Sequence, residues 1–194
     1  MRGSASRGSP RRAEITEVAL GLYAERGFRA VSVDDVARAA GASKTTITRF
    51  FGGGAGLVRA ALVLEGDIVL APLEAAAHDL DEFARVLHDT VYDDRCLTFL
   101  AFVLGEARSH PDVSQIFDEA VVQRIARTVA PAVADAAGTT GDPDRTSAAV
   151  QRFLGDLLGL DLLLAVTGRS PDPELLADRR RRAVAAVRRD ASHR

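Results

Sequence analysis

The strongest constraint in this sequence is a pair of very short helical segments hinged at Gly41-Ala-Ser43. Ser32-Val-Asp-Asp35 has the spacing of a capping box, in which a serine caps free amides and an acid answers three residues later. Val33, Val36, Ala37 and Ala40 supply the buried side of the helix that follows. Gly41 ends it, and Ser43 is placed to cap a second helix from Lys44 to about Phe50. Two short helices with a tight glycine turn predict a helix-turn-helix, whose second helix enters the DNA major groove. Lys44-Thr-Thr-Ile-Thr-Arg49 fits that role, because three threonines in six residues are a poor choice on helix propensity alone. Ile47, Phe50, Val33 and Val36 are read as core, and Lys44, Thr45, Thr46 and Arg49 as base or phosphate contacts.

Charge supports a polyanionic partner at this end. Residues 1–64 carry ten basic against five acidic side chains, whereas residues 65–194 carry fifteen against twenty-two. Residues 1–10 are Gly, Ser, Arg and Pro without apolar periodicity and read as a flexible basic arm. From Arg11 the spacing of Ile15, Val18, Ala19, Leu22 and Tyr23 predicts a helix that stops at Gly27, with Phe28 packing back. Gly52-Gly-Gly54 then breaks the chain. The expected organisation is the arm at 1–10, a DNA-binding domain at 11–54, and a second domain at 55–194.

That second domain reads as helix after helix, so the fold class is all-α with about nine helices. Pro72 is expected to end or kink the helix starting near Ala55, and Pro131 to kink a later one. No run reaches the roughly 20 apolar residues of a membrane helix, and no apolar leader follows the N-terminal arginines. A single cysteine, Cys96, rules out an internal disulfide and suits a reducing cytoplasm. Catalysis finds no support: Gly52–Gly56 lacks the Lys-Ser/Thr end of a phosphate loop, and no nucleophile elbow is present. His78, His88 and His110 have no metal-ligand spacing, so neither metal nor cofactor is expected. The run Arg179–Arg182 points around its helix and reads as a solvated surface pairing with Asp172, Glu174 and Asp178.

From the first helix through Ser32-Val-Asp-Asp-Val-Ala37, Gly41-Ala-Ser-Lys44, Ile47, Phe51 and Gly56-Leu57, about 50 residues resemble the TetR family of regulators. The resemblance implies a three-helix DNA-binding domain followed by a helical domain that dimerises and often takes a small molecule. It implies DNA-facing roles for Ser32, Ser43, Lys44, Thr45, Thr46, Thr48, Arg49 and Gly54, with Arg12 beside the arm. Thr48 stands where the family commonly has a phosphate-contacting tyrosine, and Gly54 and Ala55 where it has a lysine and an acid. Affinity then shifts to Arg49 and the basic residues Arg2, Arg7, Arg11 and Arg12.

For an apolar or amphipathic effector, the pocket candidates are Phe83, Leu87, Cys96, Phe99, Leu100, Val103 and Phe117. For a homodimer built from the last two helices, they are Phe153, Leu157, Leu160, Leu164, Leu176, Val184 and Val187. The expected function is a cytoplasmic, ligand-responsive repressor that binds a palindromic operator in double-stranded DNA as a dimer. An all-α ligand-binding or interaction protein with weakened DNA binding is the alternative, resting on Thr48 and Gly54.

Overall fold

The computed structural model describes residues 10–27, 30–107 and 111–191. The expected arm up to Ser9, the packing of Phe28, and His110 lie outside them. Nine helices and no strand occur among the described residues. They are α1 (Pro10–Arg26), α2 (Val33–Ala39), α3 (Lys44–Phe51), α4 (Gly54–Ala76), α5 (Leu80–Val91) and α6 (Asp94–Ala107). α7 joins Pro111–Phe117, a π-helical stretch Asp118–Val122 and Gln123–Ala137 without a gap; α8 (Pro143–Val166) and α9 (Pro173–Ala191) follow. Pro72 does not end α4, which runs one more turn to Ala76. A proline removes its own amide's bond to the carbonyl four residues back, here Ile68; both residues are exposed, so the loss falls on the solvent side of the helix, where it costs least.

The chain divides into two units, Met1–Gly66 and Asp67–Arg194. The first extends past the Gly52–Gly54 break because the opening turns of α4 bury Leu57 and Ala61 with Ile15, Ala19, Val36, Ile47 and Phe51. Close approach decides one residue there. A Cβ on Gly56 would overlap the Phe51 carbonyl oxygen and lie 2.8 Å from its carbon, so α3 and α4 meet this tightly only over a hydrogen.

The second unit has its core among α4 to α9, centred on Leu70, Leu73, Phe83, Leu87, Val129, Val133, Phe153 and Leu157. Its helix α8 is broken at Gly159, with φ 55° and ψ −160°, a conformation open essentially to glycine alone. Three ladder bonds of a regular helix would cross that residue, leaving the carbonyls of Asp156, Leu157 and Leu158 without their amides. Side chains from neighbouring helices reach all three. Arg179 Nη1 of α9 donates to Asp156 at 3.2 Å. His88 Nε2 of α5 donates to Leu157 at 2.8 Å, and the Tyr92 hydroxyl donates to Leu158 at 3.1 Å. A buried carbonyl left unmet costs roughly 1–3 kcal/mol, so these three donors make the break tolerable.

His88 therefore carries its proton on Nε2, and its buried Nδ1 has no hydrogen-bond partner among the described residues. Burial holds its pKa below the usual 6.5, helped by the charges of Arg180 and Arg179; the Leu157 bond and Asp89 oppose the shift without reversing it.

Gly56→Ala should destabilise the first unit by about 1–3 kcal/mol. Gly21→Ala, at a helical site with nothing within 4 Å of the added Cβ, should instead gain about 0.5–1 kcal/mol in thermal melts. Because His88 binds its proton more weakly folded than unfolded, its contribution is complete above pH 6.5 and lost as pH falls below it. The urea midpoint should drop more between pH 7.5 and 5.5 in the wild type than in His88→Gln; equal drops refute the assignment.

Candidate functional site

The short helices of the first unit owe their positions to local caps. Ser32 Oγ accepts from the Asp35 amide at 3.2 Å, and the Asp35 carboxylate accepts from the Ser32 amide at 3.0 Å, completing the expected capping box. The Ser32 hydroxyl, which donates to the Asp35 carboxylate at 2.5 Å, together with the Ser32 amide and Arg38 at 3.0 Å, holds the Asp35 pKa down to about 2. Ser43 Oγ accepts from the Thr46 amide at 3.0 Å and lies 2.9 Å from the Thr46 hydroxyl. The turn between them passes through Gly41 at φ 57°, a left-handed residue that reverses the chain in two steps.

On α3 only Ile47 and Phe51, one helical turn apart, are buried. Lys44, Thr45, Thr48 and Arg49 are exposed, and Thr46 is half-buried. The helix thus presents a polar face over an anchored apolar one. The Arg49 guanidinium carbon lies 4.9 Å from the centre of the Phe50 ring, and that of Arg12 lies 5.3 Å from the centre of the Phe51 ring. Lys44 pairs with Asp34 of α2 at 3.0 Å, an acid on the same surface that sequence reading had not connected to it. Gly54 opens α4, where a Cβ would sit 3.2 Å from Val33 Cγ2, so the small residue here accommodates α2. Arg11 serves the scaffold and not the arm. Its Nη2 donates to the carbonyls of Ala40 and Gly41 at 2.7 and 2.8 Å, while Nη1 pairs with Glu14 at 2.6 Å. It pins the turn by capping carbonyls at the end of α2.

In the second unit a cavity of about 510 Å³ opens between α4, α5, α6, α7 and α8. Of the expected pocket residues, Leu87, Cys96, Phe99, Leu100 and Phe117 line it. Phe83 and Val103 do not: both are buried in side-chain packing away from its wall. Sequence reading missed the α8 wall, which runs from Leu154, Gly155, Leu158 and Gly159 to Leu162, Leu163 and Val166. The expected dimer set also divides. Phe153, Leu157, Val184 and Val187 are at most 4% exposed and are core residues of the unit itself, so they offer almost no surface to a partner. Leu160 is 74% exposed and Leu164 39%, joined by Leu163 and Leu175, while Leu176 is half-buried. The arginine run splits likewise. Arg181 and Arg182 pair with Asp178 on the surface, but Arg179 turns inward to Asp161 at 2.6 Å.

Two short capped helices about a left-handed glycine, the second with one buried edge and one polar face, define a helix-turn-helix protein. Residues 15–61 match the family model described as bacterial regulatory proteins, tetR family. The chain superposes on a putative TetR-family transcriptional regulator from Mesorhizobium loti with a TM-score of 0.78 at 21% identity, covering 96% of this chain and 98% of that one. It superposes on a protein named flavonoid-responsive regulator FrrA with a TM-score of 0.72 at 23% identity, covering 93% and 96%. For a TetR transcriptional regulator from Agrobacterium tumefaciens the TM-score is 0.67 at 25% identity, with 92% of each chain covered. No curated protein sequence matches the chain significantly. Residues 15–61 are therefore similar to the DNA-binding part of that family, and the chain shares the fold of these solved regulators.

Arg11 and Arg49 should separate scaffold from contact. Arg11→Ala should lower the melting temperature, since it strips donors from two carbonyls at the turn. Arg49→Ala should leave the melting temperature within experimental error and weaken DNA binding several-fold at low salt. An Arg49→Ala protein with unaltered affinity removes that residue from the contact face.

Proposed function

We propose that this chain is a DNA-binding transcriptional repressor that holds a palindromic operator as a homodimer and answers to a small apolar or amphipathic effector. The observation that carries the DNA reading is the exposed polar face of α3, fixed by the burial of Ile47 and Phe51 alone. Lys44, Thr45, Thr46, Thr48 and Arg49 then meet base edges and phosphates, with Ser32, Ser43, Gly54 and Arg12 alongside. Thr48 and Gly54 lack the reach of the family's tyrosine and lysine, so Arg49 and Arg12 carry more of the phosphate attraction.

The dimer reading rests on the exposed leucines Leu160, Leu163 and Leu164, which form an apolar surface on the distal half of α8. Two copies joined there would set their recognition helices one DNA turn apart, about 34–36 Å. The effector reading rests on the apolar cavity, whose volume falls within the roughly 300–1,000 Å³ of small-molecule pockets. One protein of the same fold bears a name that calls it flavonoid-responsive, which fits an effector of modest size.

Selection from a random duplex pool should return an inverted repeat. The binding constant should fall steeply with salt, and a Leu160→Glu/Leu164→Glu variant should sediment as a monomer with much weaker operator binding. A log–log salt slope near zero sinks the DNA reading and leaves the fold as a ligand-binding protein.

A further inference from the structure

The break in α8 lies where the cavity and the leucine face meet. Leu154, Gly155 and Leu158 line the cavity before it and Leu162, Leu163 and Val166 after it, so an occupant would rest against both halves of the helix; Leu163 is also one of the exposed leucines, and Leu160 follows the break at the very next residue. A Cβ on Gly159 would overlap Arg179 Nη1 and lie 2.6 Å from its Cζ, so the guanidinium occupies the space a side chain would need. Arg179 is held there by Asp161 through Nε at 2.8 Å and Nη2 at 2.6 Å, so its charge is answered locally. Neither Arg179 nor Tyr92 lines the cavity. Both hold the break from outside it.

We propose that the break at Gly159 is the element through which occupancy of the cavity acts on the leucine face of α8, and that the occupant is a neutral apolar molecule. Neutrality follows from the wall, whose side chains are aliphatic or aromatic apart from the Cys96 thiol. An ionised group brought into it would meet no counter-charge among those residues. Coupling follows from geometry. The bent form of α8 shapes the wall at Gly155 and Gly159, so a ligand resting against that wall binds the bent form best. The same bend sets the direction of residues 160–166, which bear Leu160, Leu163 and Leu164. Straightening the helix would displace the three side-chain donors and change the leucine face together.

This inference rests on the effector and dimer readings, and the test separates them. N-phenyl-1-naphthylamine, a neutral apolar dye, is titrated by fluorescence, and self-association is measured by sedimentation equilibrium with and without saturating dye. Dye should bind the wild type, lose affinity in Leu100→Trp, and strengthen wild-type self-association at least fivefold, within the usual range for coupled sites. Gly159→Ala should reduce that effect below twofold. Tyr92→Phe, which removes one carbonyl donor without a new atom at the break, should give an intermediate value and decides the matter if Gly159→Ala does not fold. Val187→Ala, a destabilising core change away from the cavity, should keep the wild-type coupling. Absence of dye binding, or binding indifferent to Leu100→Trp, overturns the effector reading and this inference with it. Dye that binds in the cavity but leaves wild-type self-association unchanged, or shifts it equally in wild type, Gly159→Ala and Tyr92→Phe, overturns this inference alone.

Discussion

An eight-residue helix has no stability of its own in water, because nucleation costs more than so few ladder bonds return. Everything the first unit can do at a DNA surface depends on how α3 is held in spite of that. Two anchors do it: Ile47 and Phe51 buried one turn apart, and Ser43 satisfying an amide at the start. Full burial of a side chain such as Ile47 is worth about 1.5–3 kcal/mol, and a serine cap about 1 kcal/mol. Neither alone fixes the helix axis, but together they leave the opposite face free of structural duty. That division lets polar residues of low helix propensity occupy Thr45, Thr46 and Thr48 without loss of fold.

Local signals were the most legible in the sequence. The capping box at Ser32 and Asp35 and the cap at Ser43 depend on residues three apart, so the chain itself announces them. Pairings between distant segments were not legible. Nothing in the spacing of Arg11 foretells that it reaches the carbonyls of Ala40 and Gly41, and counting it as a cation of the arm overstated the charge available to DNA. Lys44 is similar, since its partner Asp34 lies ten residues away on another helix. Net charge counts groups, whereas a binding surface depends on which of them already have partners.

The second unit shows how one glycine can mislead a periodicity argument. Read as one straight helix, residues 143–166 are apolar on nearly every side toward their C-terminal end, and a single face cannot be assigned. The break at Gly159 resolves this by changing the phase of the helix. Phe153 and Leu157 before it point into the core, while after it Leu160 points outward and Leu163, more than half exposed, lines the cavity. Of the pocket candidates on α5, α6 and α7, the aromatic and aliphatic content brought out Leu87, Cys96, Phe99, Leu100 and Phe117, which line the cavity, along with Phe83 and Val103, which do not. The α8 wall was not legible, because its contribution includes two glycines, which offer no side chain to recognise.

The space beside Gly159 is occupied by a residue twenty positions further along the chain, and this has a consequence for inheritance. A bulkier residue at 159 is tolerable only if position 179 shortens at the same time, and a shorter residue at 179 leaves both Asp161 and the Asp156 carbonyl in want of a partner. The two sites therefore belong to one evolutionary unit. In descendants of this sequence they should either persist together as glycine and arginine or change together, with position 161 losing its acid in step.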